Sequence, residues 1–146
     1  MENDIKVGAR CIRKLEVDRA RTIDFLGEDL RIYATPELVR DIEQTCLDFL
    51  QDHVTPGQSS VGTEVSVAHA GATPLGGEVR IEVEVAAVDG RSVTFRVAAH
   101  DAVETVCTGI HRRFVVDVER LKLRVRKKAE AAASVSGAAT AAPAVR

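Results

Sequence analysis

The sequence has no tryptophan, a single tyrosine, a single methionine and only four prolines in its 146 residues, and aromatic side chains make up just 3% of it. So thin an aromatic supply argues against recognition of single-stranded nucleic acid by base stacking. No apolar run approaches the ~20 residues that a membrane-spanning helix needs. The opening residues, Met1-Glu2-Asn3-Asp4, are charged where a secretory leader would be hydrophobic. The three cysteines, Cys11, Cys46 and Cys107, are odd in number and carry no CxxC spacing. They offer neither a disulfide framework nor a zinc pattern. The four histidines are scattered rather than grouped as metal ligands. Neither sign of charge dominates: 20 Lys and Arg stand against 22 Asp and Glu, a net charge of -2. That balance argues against general nucleic-acid binding. The expectation is a cytoplasmic protein with no metal, no membrane partner and no nucleic-acid partner.

What is present is an ordinary globular composition, 45% hydrophobic and 29% charged, in a chain long enough for one domain with a real core. A first strand is expected over about Gly8 to Val17. Residues Thr35 to His53 read as an amphipathic helix at roughly 100° per residue. Leu38, Val39, Ile42, Cys46, Phe49 and Leu50 gather on one side, while Arg40, Asp41, Gln44, Asp48, Gln51 and Asp52 gather on the other. Thr35-Pro36-Glu37 predicts its start, with a hydroxyl N-cap, proline at the first helical position and an acid in the first turn.

From Ser60 onward the pattern changes to alternation. Val79, Ile81, Val83 and Val85 are interleaved with Arg80, Glu82 and Glu84. Asp89-Gly90 is a two-residue hairpin signal leading into Ser92 to Ala99, and a further turn leads into Val103 to Val116. Strands joined by such short turns form an antiparallel meander. Val118 to about Ala133 reads as a second helix, and its cations Arg120 to Lys128 read as a solvated face favoured near a helix C-terminus. Residues 131–146 are mostly Ala, Ser, Gly, Pro and Thr, with too few large apolar side chains to offset ordering entropy, and are expected to be disordered. The expected organisation is an α+β domain over residues 1–130, its sheet wrapped around a helix, followed by a low-complexity tail over 131–146.

Two polar residues break these patterns. Glu43 falls inside the apolar stripe of the helix, among Val39, Cys46, Leu47 and Leu50. A carboxylate turned toward a core is costly unless paired, protonated or used. His69 shares a face with Val61, Val65 and Val67 in the alternating run from Val61. One acid and one imidazole on inward faces make a candidate acid/base pair. Structural readings stand beside these two and two further positions: Glu43 as half of an ion pair, His69 as a satisfied core histidine, Thr35 as an N-cap only, and Gly62 as the mark of a bulge or close strand packing. For His111, Arg112 and Arg113 a solvated strand end is the simpler reading, with contact to phosphates or a substrate carboxylate as the alternative. Cys46 reads as a small core residue.

The segments Ala34-Thr35-Pro36, Ile42-Glu43, Ser60-Val61-Gly62-Thr63, His69-Ala70-Gly71-Ala72-Thr73-Pro74-Leu75-Gly76, Val88-Asp89-Gly90-Arg91 and Gly109-Ile110-His111-Arg112-Arg113-Phe114-Val115-Val116-Asp117 occur in that order across residues 8–117. In order and spacing they resemble the fluoroacetyl-CoA thioesterase-like branch of the hotdog-fold superfamily. The resemblance implies a hotdog fold, an antiparallel sheet wrapped around a central helix, with a C-terminal helix and the tail following. It implies an acyl-CoA thioesterase whose catalytic threonine, glutamate and histidine are Thr35, Glu43 and His69. It further places Gly62 near the thioester end of the ligand and Arg113, or Arg112 if the register slips, near the acyl group. CoA would be carried by the substrate, with no metal or redox cofactor.

A homodimer is expected, since a lone curved sheet around one helix leaves edges that hotdog relatives close by pairing. Members selective for fluoroacetyl-CoA carry paired lid phenylalanines before the helix. The equivalent stretch here, Thr22 to Leu30, has one, Phe25. The alternatives are a non-catalytic acyl-CoA or small-ligand binding module on the same fold, and a hydratase or dehydratase acting on acyl thioesters.

Overall fold

The computed structural model of the protein describes residues 4–138. Five strands make one antiparallel sheet: β1 (Arg10–Glu16), β2 (Gln58–His69), β3 (Glu78–Asp89), β4 (Ser92–His100) and β5 (Thr105–Asp117), in the spatial order β1-β3-β4-β5-β2. Helix α1 (Thr35–Gln51) lies between β1 and β2 in sequence and packs on β1, β2 and β3. This is the sheet-around-helix arrangement expected of a hotdog fold.

The core follows from the two periodicities. On α1, Leu38, Ile42, Cys46 and Leu50 recur every fourth residue and are at most 1% exposed. On the strands, Val79, Ile81, Val83 and Val85 of β3 and Val93, Phe95, Val97 and Ala99 of β4 turn toward the helix and are buried. Each large aliphatic side chain so removed from water contributes about 1.5–3 kcal/mol. The β3–β4 hairpin is shifted by one residue from its sequence signal. Asp89 still pairs with Ser92, so the two central residues are Gly90 and Arg91. Only Gly90 has a positive φ, +60°, the pattern of a turn that needs glycine at its first central position.

The segment between β1 and α1 is irregular, with short 3-10 turns at Arg19–Arg21 and Glu28–Leu30. It is pinned to α1 by polar contacts. Arg21 donates to both oxygens of Asp41, at 2.9 and 3.1 Å, and the buried Tyr33 hydroxyl donates to the same carboxylate. Burial and the neighbouring carboxylate hold the Tyr33 phenol far above its ordinary range. This network ties both ends of the segment to the second turn of α1.

Helix α2 (Val118–Ala138) starts where its first N–H meets the Gly57 carbonyl at 3.0 Å. Except for Val118 and Leu121, its residues through Gly137 are exposed. It runs to Ala138 rather than Ala133. Of the stretch expected to be a disordered tail, residues 131–138 are therefore helical, and 139–146 lie outside the described residues. Neither described helix is long and apolar enough to cross a membrane.

Candidate active site

Thr35 is the first residue of α1, but it is not the cap. Ala34, in extended conformation, occupies that position with no side-chain bond. The Thr35 hydroxyl points elsewhere: its Oγ1 lies 2.8 Å from Nδ1 of His69, at the far end of β2. The proline at Pro36 already relieves one orphan N–H, so the hydroxyl is free to serve the imidazole.

How His69 comes to face the helix corrects the alternation read from the sequence. Val61 and His69 do not share a face. The β2–β5 register shifts between Gly62 and Glu64. Before the shift, Val61 pairs with Phe114 on the outer face and Gly62 with Arg113 on the inner one. After it, Val65, Val67 and His69 pair with His111, Gly109 and Cys107. The extra residue reverses the parity of the strand. Gly62 and His69, an odd seven positions apart in sequence, thereby face the same way.

The His69 imidazole stands edge-on to Tyr33, with centroids 6.3 Å apart. Burial lowers its pKa below the ordinary 6.5, with the Gly71 backbone pulling weakly the other way. Its Nε2 is buried and has no hydrogen-bond partner among the described residues. The Thr35 bond admits two tautomers. If the hydroxyl donates to Nδ1, Nε2 carries the proton; if Nδ1 donates to the hydroxyl, Nε2 is a free base.

Glu43 is less buried than its place in the helical stripe predicts: its side chain is 43% accessible. It lies at the edge of the apolar stripe, in the wall of a groove of about 260 Å³ that Pro36, Val39, Leu47 and Arg113 also line. Its Oε2 is 3.8 Å from Nη1 of Arg113, whose side chain is only 5% accessible. Among the described residues no hydrogen bond joins Glu43 to Thr35 or His69. Thr35 and Glu43 are separated by about 12 Å along the helix axis. The structure thus makes two pairs, Thr35 with His69 and Glu43 with Arg113, rather than one acid–imidazole pair.

Arg113 is inward and Arg112 outward; the latter pairs with Glu64 at 2.7 Å on the outer face. Arg113 donates from Nε to Ser60 Oγ at 2.8 Å and from Nη2 to the Ser60 carbonyl at 2.9 Å. Its Nη1 donates to Nε2 of His111 at 3.1 Å. Gly62 sits against this cluster. A Cβ there would lie 3.2 Å from His111 Cε1, 3.3 Å from Arg113 Nη1 and 3.3 Å from Glu43 Oε2. The missing side chain lets the strand approach that closely. Cys46 lies beside Arg113 but is no nucleophile, since burial pushes its thiol up to about 12.

His111, for which a solvated strand end was the simpler expectation, is only 1% exposed. Strand parity carried the signal, because an inward Arg113 requires an inward His111 two positions earlier. In the Thr22–Leu30 stretch, Phe25 is 74% exposed and Leu26 and Leu30 are also exposed. A wider hollow of about 470 Å³, lined by Phe114 and Asp117 of β5, Arg120 and Leu123 of α2, and Arg91, contains none of the residues expected to act.

Residues 17–119 match the family described as fluoroacetyl-CoA-specific thioesterase. The chain is 32% identical over 138 residues to the fluoroacetyl-CoA thioesterase of Streptantibioticus cattleyicolor, covering 90% of this chain and 99% of that one. It superposes on the solved fluoroacetyl-CoA thioesterase FlK with a TM-score of 0.78 at 31% identity, covering 86% of this chain and 98% of the other. A hot-dog-like protein from Thermanaerovibrio acidaminovorans matches with a TM-score of 0.78 at 26% identity, covering 84% and 91%.

Proposed function

Because the chain belongs to the fluoroacetyl-CoA-specific thioesterase family and is a thioester hydrolase, we propose that it cleaves small acyl-CoA thioesters to the free acid and CoA. The observation that carries this reading is the 2.8 Å bond between Thr35 and His69, set beside an accessible Glu43 carboxylate whose Arg113 neighbour is buried.

Hydrolysis adds water across the C–S bond, so a proton must leave the attacking oxygen and reach the departing sulfur. Glu43 either attacks the thioester carbonyl, giving a mixed anhydride that water then opens, or takes a proton from the attacking water. His69, whose Nδ1 is bonded to Thr35, moves a proton between the attacking water and the CoA thiolate. The Gly62 backbone and the Arg113 guanidinium sit at the same end of the site as Glu43 and supply close approach and positive charge for the oxyanion. This chemistry calls on no metal or redox group.

The lid differs from that of fluoroacetyl-selective members, with a single exposed Phe25 in the Thr22–Leu30 stretch. We read this lid as opening or reshaping the acyl pocket, which supports an acyl preference not confined to fluoroacetate. We further read the protein as a cytoplasmic homodimer, its catalytic domain spanning residues 1–130. β2 is an edge strand with Val61 and Val65 each 39% exposed, and the groove beside Glu43 opens along α1, where a second copy would close it. Sedimentation at micromolar concentration should give a dimer; a monomer would remove that part of the reading.

The test is thiol release from short, branched, aromatic and long acyl-CoAs, fluoroacetyl-CoA and acetyl-CoA included. Turnover of one class by wild type, lost in folded Glu43→Ala and His69→Ala, supports hydrolysis by these residues. Tight acyl-CoA binding without turnover would replace it with a binding module, and hydration of crotonyl-CoA with a hydratase.

A further inference from the structure

His111 has a protonation state that its neighbours dictate. Its Nδ1 lies 2.8 Å from the Glu64 carbonyl. A carbonyl only accepts, so Nδ1 must carry a hydrogen. Its Nε2 lies 3.1 Å from Nη1 of Arg113. A guanidinium only donates, so Nε2 must offer its lone pair. Both contacts are satisfied in one form alone, the neutral imidazole with its proton on Nδ1. Protonating Nε2 would aim an N–H at an N–H and set a second cation against a buried one.

The contact also completes the anchoring of Arg113. Ser60 on β2 holds Nε and Nη2 through its hydroxyl and carbonyl, and His111 on β5 holds Nη1. With three anchors from two strands, the same Nη1 faces Glu43 Oε2 at 3.8 Å. We propose that His111 is a positioning residue for thioester hydrolysis: as a neutral hydrogen-bond acceptor it aims the Arg113 guanidinium at Glu43, and its protonation releases that aim.

The surroundings bias the ring toward the neutral form. Burial is the main cause holding its pKa below 6.5, and the Arg113 charge acts in the same direction. The Glu64 carbonyl and the Glu43 carboxylate oppose them. From α1 the titratable groups facing this cluster are Glu43 and Cys46, the latter a neutral thiol; from β5, Arg113. The Glu64 side chain is engaged by Arg112 on the outer face.

The role rests on Glu43 and Arg113 belonging to the hydrolytic site, and the experiment separates the two. Rates are measured from pH 5 to 9 for wild type, His111→Gln and His111→Leu, with folding checked by thermal melting. The side-chain 15N spectrum of wild-type His111 is recorded over the same range. The amide oxygen of the Gln variant can accept from Arg113 but does not titrate. Its kcat should stay within about threefold of wild type at pH 8, and the acid limb should lose one protonation. The Leu variant should lose about tenfold or more in kcat with little change in KM. The spectrum should report the Nδ1–H tautomer, which tests the assignment even if the Leu variant fails to fold. A proton on Nε2, an acid limb unchanged in the Gln variant, or a folded Leu variant matching an active wild type would each overturn the positioning role alone. A wild type that turns over no acyl-CoA overturns the thioesterase reading and this role with it.

Discussion

The hydroxyl of Thr35 and Nδ1 of His69 lie 2.8 Å apart across 34 residues of sequence. One stands at the start of the central helix and the other at the end of an edge strand. Thr35→Ala removes the group that orients the imidazole, and kcat should fall by about 10–100-fold. Thr35→Ser keeps the hydroxyl and should stay within about threefold of wild type. Because Thr35 is exposed, the Ala variant should unfold within about 0.5 kcal/mol of wild type. Parallel steady-state kinetics and melting curves check both expectations.

Glu43→Gln tests the carboxylate's chemistry with its shape kept. Activity should fall by about a hundredfold or more, since an amide neither attacks a thioester nor takes a proton from water. Stability should change by about 1 kcal/mol or less, because the side chain is 43% accessible and its ion pair with Arg113 is long, at 3.8 Å. A variant with wild-type kcat would reduce Glu43 to a counter-ion for Arg113.

Gly62→Ala inserts a Cβ 3.2 Å from His111 Cε1 and 3.3 Å from both Arg113 Nη1 and Glu43 Oε2. Those neighbours must each give by a few tenths of an ångström. The fold should survive while kcat/KM drops by about tenfold, because the cluster is displaced without being dismantled. Equal kcat/KM in the two proteins would mean that the close approach of β2 has no catalytic purpose.

Acid should affect stability and rate through the same two imidazoles. The pKa values of His69 and His111 are both lowered from 6.5, in each case mainly by burial. Between the lowered folded value and 6.5 the unfolded chain therefore binds more protons. Their contribution to stability is fully present above about 6.5 and is lost as pH drops from that value through the lowered folded one. For the rate, neutral His69 persists to lower pH than a free imidazole, so the acid limb of kcat/KM should have its midpoint below 6.5. Denaturant titrations and rate profiles over pH 5 to 8 check the two; a midpoint above 6.5 contradicts the burial argument.

Truncation after Glu130 should leave folding and activity intact. Residues 131–137 are helical yet exposed, so their removal uncovers no core. A melting temperature lowered by more than a few degrees would show that this end of α2 packs against something in solution.

Most of the elements and the core were legible in the order of the amino acids alone. Helical spacing in Leu38, Ile42, Cys46 and Leu50, alternation in Val79 to Val85 and the glycine at the hairpin are local patterns, and the fold buries or turns the chain at each of them. Motif order likewise pointed to Thr35, Glu43, Gly62, His69 and Arg113. How these residues meet depends on strand order and register. The parity change at Gly62 depends on the register with β5, which alternation within β2 alone does not encode. Whether Thr35 caps its helix or bonds His69 depends on where the end of β2 lies. The anchoring of Arg113 by Ser60, the hydrogen that the Glu64 carbonyl requires on Nδ1 of His111 and the meeting of Glu43 with Arg113 all arise from contacts between segments far apart in sequence. Local periodicity is a property of neighbouring residues, whereas hydrogen-bond geometry across a sheet exists only once strand order and register have been set.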